Sequence, residues 1–205
     1  MASALGVLLV VAGPSGTGKG TVVRRLLERV PGLWFSVSAT DRAPRPEEVD
    51  GRDYRFVSHD AFCRLRDEGG FLEWFEVFGD LKGTPRRPVE EHLVAGDDVV
   101  IEVDVKGALA IRDALPQAYL VFLRPPSREV QRARLRERAE AESRLSGAPV
   151  DVAEIERRLA GAEAEEEAAA SFDAVVVNDD VERTVDELAA LLDERRQIDS
   201  GPRRS

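Results

Sequence analysis

The chain has 205 residues, enough for one well-buried core carrying small insertions, and its 43% hydrophobic and 33% charged residues exclude wholesale disorder. A net charge of −10 argues against a general nucleic-acid binder, and no stretch reaches the roughly 18 apolar residues needed to span a membrane. One cysteine, Cys63, excludes an internal disulfide, and with only His59 and His92 to join it no metal-ligating set is expected.

In chain order, Leu5 to Val11 is continuously apolar and β-branched, the pattern of a central parallel strand covered on both faces. It has no basic leader and runs straight into a glycine loop, so it reads as a buried strand rather than a secretory signal. A cytoplasmic location is the resulting expectation. The loop is Gly13-Pro14-Ser15-Gly16-Thr17-Gly18-Lys19-Gly20-Thr21. Small residues there let successive backbone N–H groups converge on phosphate oxygens, and the positive end of the following helix adds to them. Lys19 then reaches the β- and γ-phosphates of an ATP donor. The hydroxyl usual after this lysine falls one position later, on Thr21, because Gly20 intervenes. One residue turns a helical side chain by about 100°. Mg²⁺ is therefore expected to be held mainly by phosphates and water.

Val22, Val23, Leu26, Leu27 and Val30 recur at helical spacing, and Pro31-Gly32 ends that helix. Ser36 to about His92 breaks the rhythm with Arg, Pro, Gly and aromatics and reads as a small α+β insertion. Cys63 within it is expected to be a small buried hydrophobe. Val99 to Val103, Tyr119 to Leu123 and Phe172 to Val177 predict further strands. Helices are expected over Lys106 to Ala114, Ser127 to Arg144 and Val181 to Arg196. Such alternation indicates an α/β fold with a parallel sheet and right-handed crossovers. Gln197 to Ser205 has no apolar periodicity and is expected to fray.

Ser36, Ser38, Thr40, Arg42, Pro44 and Arg45 stand at alternating and adjacent positions, followed by Gly51, Asp53-Tyr54 and Phe56. This stretch resembles the GMP-binding region of guanylate kinases. Phe71-Leu72-Glu73-Trp74, Gly83-Thr84, Ile101 to Asp104, Pro125-Pro126-Ser127 and Val177-Asn178-Asp179 extend the resemblance over nearly the whole chain. The resemblance implies a P-loop kinase core with a five-stranded parallel sheet flanked by helices, in residues 1–36, 93–127 and 161–196. It also implies a mixed α/β GMP-binding insertion at 37–92, a helical lid at 128–160 and a disordered tail at 197–205. The implied activity is transfer of the γ-phosphoryl of ATP to GMP, and to dGMP, with no covalent nucleophile.

The residues suit that reading. Arg42 and Arg45, in a loop primed by Pro44, can grip one dianionic phosphate with fork-shaped contacts, and Tyr54 can add a hydroxyl donor. Guanine offers two adjacent donors that one carboxylate accepts in parallel, the role given to Glu73. The resemblance places Ser38 and Thr84 at the base edge. Glu102 and Asp104 end a strand where α/β sheets place ligands. Asp41 is expected to orient Arg42, and Lys82 stands where the family usually has a tyrosine near the phosphate.

Arg134 and Arg138, spaced i, i+4, share a helix face, and Arg158 matches the family's second lid arginine. With Lys19 they would converge on the transition state. The bland alternative is that the helix arginines pair with Glu137 and Glu140 in solvent. Ala139 to Ala148 replaces the family's short turn between lid helices, which leaves open whether Arg138 or Arg144 takes the first lid role. Asn178 matches an adenine-contacting position and could present both a donor and an acceptor.

Two rivals stay open, a non-catalytic guanylate-kinase-like module binding phosphopeptides and a kinase for another small phosphorylated acceptor. The sequence leaves the choice between monomer and homo-oligomer open.

Overall fold

The computed structural model describes residues 5–200 apart from Pro46, Phe78 and Ala148. β1 (Leu8–Ala12) enters the glycine loop, which opens α1 (Lys19–Arg29) and returns through β2 (Trp34–Phe35). The insertion follows as β3 (Ala39–Thr40), β4 (Arg55–Phe56), α2 (His59–Asp67), β5 (Phe71–Val77) and β6 (Asp80–Pro85). The chain continues as α3 (Arg86–Ala95), β7 (Val99–Glu102), α4 (Val105–Ala114) and β8 (Tyr119–Arg124). The lid helices α5 (Arg128–Ser146) and α6 (Val152–Glu167) precede β9 (Ala174–Val177) and α7 (Val181–Ser200).

The main sheet has the order β2-β7-β1-β8-β9, and every pairing in it is parallel. β1 lies at its centre, which explains its unbroken apolar run: each face of the strand meets a different helical layer. Leu9 and Val11 pack with Val22, Leu26, Val185 and Leu188 of α1 and α7. Leu8, Val10 and Ala12 pack instead with Val89, Leu93, Ala108 and Ile111 of α3 and α4. Successive strand side chains point to opposite faces, so one short run holds both layers.

The insertion forms a mixed four-stranded sheet, β4-β3-β6-β5, over its own small core of Ala39, Phe62, Phe71 and Leu81. Cys63 is partly buried against that core, with its Sγ 3.5 Å from His59 Nε2. The main core takes the chain back at α3, before residue 93, because Val89 and Leu93 face β7 and α4.

Leu135, Ile155 and Leu159 join the two lid helices. Three helices run past their expected ends. α5 continues through most of the apparent insertion, two residues beyond the expected Arg144, to Ser146, and is closed by Gly147 at φ 73°. α6 runs unbroken past residue 160 to Glu167, and α7 reaches Ser200, so Gln197 is helical. Residues 201–205 of the expected tail lie outside the described residues.

Candidate active site

The glycine loop takes its shape from positions that tolerate no side chain. Gly18 is left-handed at φ 87°, and a Cβ there would lie 2.7 Å from Asn178 Nδ2. Gly13, at φ 147°, passes so close to β8 that a Cβ would meet Leu123 O at 2.2 Å. Buried Thr17 closes the turn by donating from Oγ1 to Pro14 O at 3.0 Å. Lys19 Nζ folds back onto Gly13 O (2.5 Å) and Pro14 O (3.0 Å). Burial pushes this ammonium below the usual lysine range, against the attraction of Glu102, Glu165 and Asp104.

Two clefts meet at Lys19. The first, about 540 Å³, is lined by Ser15, Gly18, Thr21, Arg134, Arg138 and Asn178, with Lys19 and Glu102 at its inner end. The second, about 620 Å³, is lined by Arg42, Arg45, Tyr54, Lys82, Asp104 and Arg158, and shares Lys19, Glu102 and Arg138 with the first. A small extension beside the second is lined by Glu73, Phe75, Lys82, Val103 and Asp104. Both volumes fall within the usual ligand range of about 300–1,000 Å³.

Most of the expected acceptor residues line the second cleft or its extension. Arg42 donates from Nη2 to both Glu48 oxygens (2.8 and 2.9 Å) and from Nη1 to Ala43 O. Glu48 also accepts from Arg45 N at 2.8 Å, and Arg42 holds its carboxyl below the usual range. Glu48 escaped the sequence reading. Its signal was the spacing from Arg45, whose carbonyl accepts from Glu48 N in a turn. Asp41 does not orient Arg42: its Oδ1 accepts from Leu81 N (2.6 Å) and its Oδ2 meets His59 Nδ1 (2.7 Å). It pins the first residues of the loop to β6 instead.

Glu73 is buried, 7% exposed, and accepts from Thr84 Oγ1 across the β5–β6 register at 2.6 Å. Burial raises its pKa, opposed by the Thr84 hydroxyl and the Lys82 charge. Thr84 thus addresses Glu73 directly. Ser38 is buried and does not line the clefts; its carbonyl accepts from Arg55 N and helps join β3 to β4. Asp104 has two tasks, lining the cleft and capping α4 through Oδ1 to Gly107 N (2.7 Å).

On the donor side Asn178 lines the first cleft and also supports the loop. Its Nδ2 donates to Thr17 O (2.7 Å), and its Oδ1 accepts from Thr184 Oγ1 (3.2 Å). One bond at each end leaves the amide a second N–H and a second lone pair. Arg134 joins that clamp, donating to Thr17 O and Asn178 O (3.1 and 3.0 Å). It lines the first cleft only, whereas Arg138 lines both and Arg158 the second. Arg138 donates to Glu142 and Arg158 to Glu154, each one helical turn away. These partners differ from Glu137 and Glu140, whereas Arg136 does pair with Glu140 (3.1 Å), as the alternative expected. Arg144, on the added turns of α5, lines neither cleft.

Gln131 was also missed: Nε2 donates to Ser15 O (2.8 Å) and ties the lid helix to the loop. Its signal was a neutral polar residue one turn before Leu135, inside the helix's apolar stripe. Glu165 gave no signal within an Ala/Glu-rich stretch. It is half-buried near Lys19 and Asp104, and burial raises its pKa.

A glycine loop opening a helix beside the central strand, two joined clefts and a helical lid define a P-loop nucleotide kinase. Residues 6–195 match the family model described as guanylate kinase. The guanylate kinase of Rhodococcus jostii is 51% identical over 190 residues, covering 91% of this chain and 87% of that protein. That of a Mycobacterium species is 50% identical over 191 residues, covering 92% and 91%. The crystal structure of guanylate kinase from Anaplasma phagocytophilum superposes with a TM-score of 0.73 at 33% identity, covering 95% of this chain and 88% of that one. The chain belongs to the guanylate kinase family.

Proposed function

We propose that this chain transfers the γ-phosphoryl group of ATP to GMP, giving ADP and GDP, and that dGMP is also an acceptor. The observation that carries the reading is the meeting of two clefts at Lys19, one built on the glycine loop and the other ending at buried Glu73. ATP lies in the first cleft with its phosphates on the loop N–H groups between Gly13 and Thr21. GMP lies in the second, with its phosphate at Arg42, Arg45 and Tyr54 and its base at Glu73.

Phosphoryl transfer asks for alignment, exclusion of water and positive charge around the moving group. Lys19 follows the charge from donor to acceptor. Arg138 and Arg158 exchange their helix glutamates for phosphate oxygens as the lid closes, and Arg134 holds the loop rather than the moving group. Glu73 accepts guanine's ring N–H and amine together. AMP lacks that donor pair and would leave the buried carboxylate with the Thr84 hydroxyl alone, a mismatch of about 1–3 kcal/mol.

Among the described residues no cluster of three or more His, Cys, Asp or Glu could cage a metal. Glu102 and exposed Thr21 near the loop suit Mg²⁺ held mainly by phosphates and water, in agreement with that ion's habit of keeping its waters. Bound there, it would neutralise phosphate charge. No described helix is long and apolar enough to cross a membrane, and a cytoplasmic enzyme of nucleotide metabolism is the location we propose.

A coupled assay of ADP release across GMP, dGMP, AMP, UMP and CMP tests the reading. Turnover with GMP and dGMP, and little with the others, is expected. No turnover with GMP, or equal turnover with AMP, overturns it.

A further inference from the structure

β6 presents alternate residues to the acceptor cleft. Leu81 points away into the insertion's core, while Asp80, Lys82 and Thr84 share the opposite face. Thr84 marks the base end through its bond to Glu73, and Asp80 lines the second cleft with Arg42. Lys82 stands between them and lines both the second cleft and its extension. In strand geometry the step from Thr84 to Lys82 is about 7 Å along β6.

The cations in this cleft differ in their partners. Arg42 has Glu48, Arg138 has Glu142 and Arg158 has Glu154. The Lys82 ammonium makes no hydrogen bond or ion pair among the described residues; it rests over the Tyr54 ring, 5.1 Å from the centroid. A partly buried ammonium supported only by an aromatic face has three donors to give. Its charge acts on both Lys19 and Glu73, so it faces the shared volume rather than bulk solvent.

We propose that Lys82 is a ligand of the acceptor's phosphate: on binding, its ammonium leaves the Tyr54 ring and joins Arg42 and Arg45 on the phosphate oxygens. The inference rests on the reading that places the GMP phosphate at those arginines. It assigns a residue to charge selection, because a nucleoside without the phosphate gives Lys82 nothing to bind. A lysine serves there as a point charge, without the fixed geometry of a guanidinium or phenol.

Titration calorimetry of the full chain with GMP and with guanosine tests this, using wild type, Lys82→Met, Lys82→Arg and Arg45→Ala. Lys82→Met should weaken GMP binding about 10- to 100-fold, the range of one charge-assisted hydrogen bond, while guanosine binding holds. Lys82→Arg should regain most of the loss, and in steady state the loss should fall on KM for GMP more than on kcat. The slope of GMP affinity against salt should also become shallower in Lys82→Met. Unchanged GMP binding in Lys82→Met, or an equal loss for GMP and guanosine, overturns the proposal. If Arg45→Ala also leaves GMP binding intact, the placement of the phosphate itself has failed; if Arg45→Ala weakens it and Lys82→Met does not, only the role of Lys82 has.

Discussion

Thr84 and Glu73 face one another across β5 and β6, and the hydroxyl donates to the carboxylate at 2.6 Å inside a nearly dry pocket. The pair is opposed by burial, which pushes the Glu73 pKa up, and is supported by the Lys82 charge. Only the ionised carboxylate accepts both guanine donors. A raised pKa means that this form is lost at a higher pH than for an ordinary glutamate. As pH falls through the raised value, kcat/KM for GMP should therefore drop. Glu73→Gln should start lower and lack that limb, keeping only the one due to the GMP phosphate. Identical pH profiles for the two proteins would place guanine recognition elsewhere.

Lys19→Met should reduce kcat by about 10³-fold, because the group that follows the transferring charge is gone. GMP affinity should stay nearly normal, since the proposed seats of the acceptor's base and phosphate lie on the insertion. Single-turnover kinetics with calorimetry on the same protein separates the two effects. A variant with near-normal turnover removes Lys19 from the transfer step.

Arg138 and Arg144 are separated by less than two helical turns, yet only Arg138 lines the clefts. Arg138→Ala should lower kcat by about 10²-fold, the scale of one positioned donor to a developing charge. Arg144→Ala should alter it less than about twofold, as for an ordinary surface change. Reversal of that order would show that the lid closes along the added turns of α5.

Gly18→Ala forces a side chain into a left-handed position and against Asn178. The variant should lose about 1–3 kcal/mol of stability and most of its ATP affinity, while GMP binding persists. Thermal melts with and without each nucleotide check this. Stabilisation by ATP equal to that of wild type would mean that the loop tolerates another shape.

The sheet and the loop were legible because their signals are local: an apolar run, fixed glycines, a lysine and helical spacing. Arg42, Arg45, Tyr54 and Glu73, singled out through a resemblance that runs over nearly the whole chain, line the second cleft or its extension. What escaped is contact between distant residues. Nothing near Asn178 tells that its amide also holds Thr17, and nothing near Asp41 tells that it binds Leu81 N rather than Arg42. The family's short turn is missing after Arg138, and α5 continues there because Ala, Glu, Arg and Leu, all good helix formers, fill most of the positions from Ala139 to Ser146.

The clamp of Asn178 on Thr17 also bears on how the protein is made. The phosphate loop leaves the ribosome before its supports do, because β1 finds its sheet partners only once Val99 and Tyr119 exist. The loop's rear support arrives later still, with the residue after β9. A nascent fragment ending before that strand lacks this support, whereas the strands of the insertion are complete by Pro85, well ahead of the residues that close the site it serves.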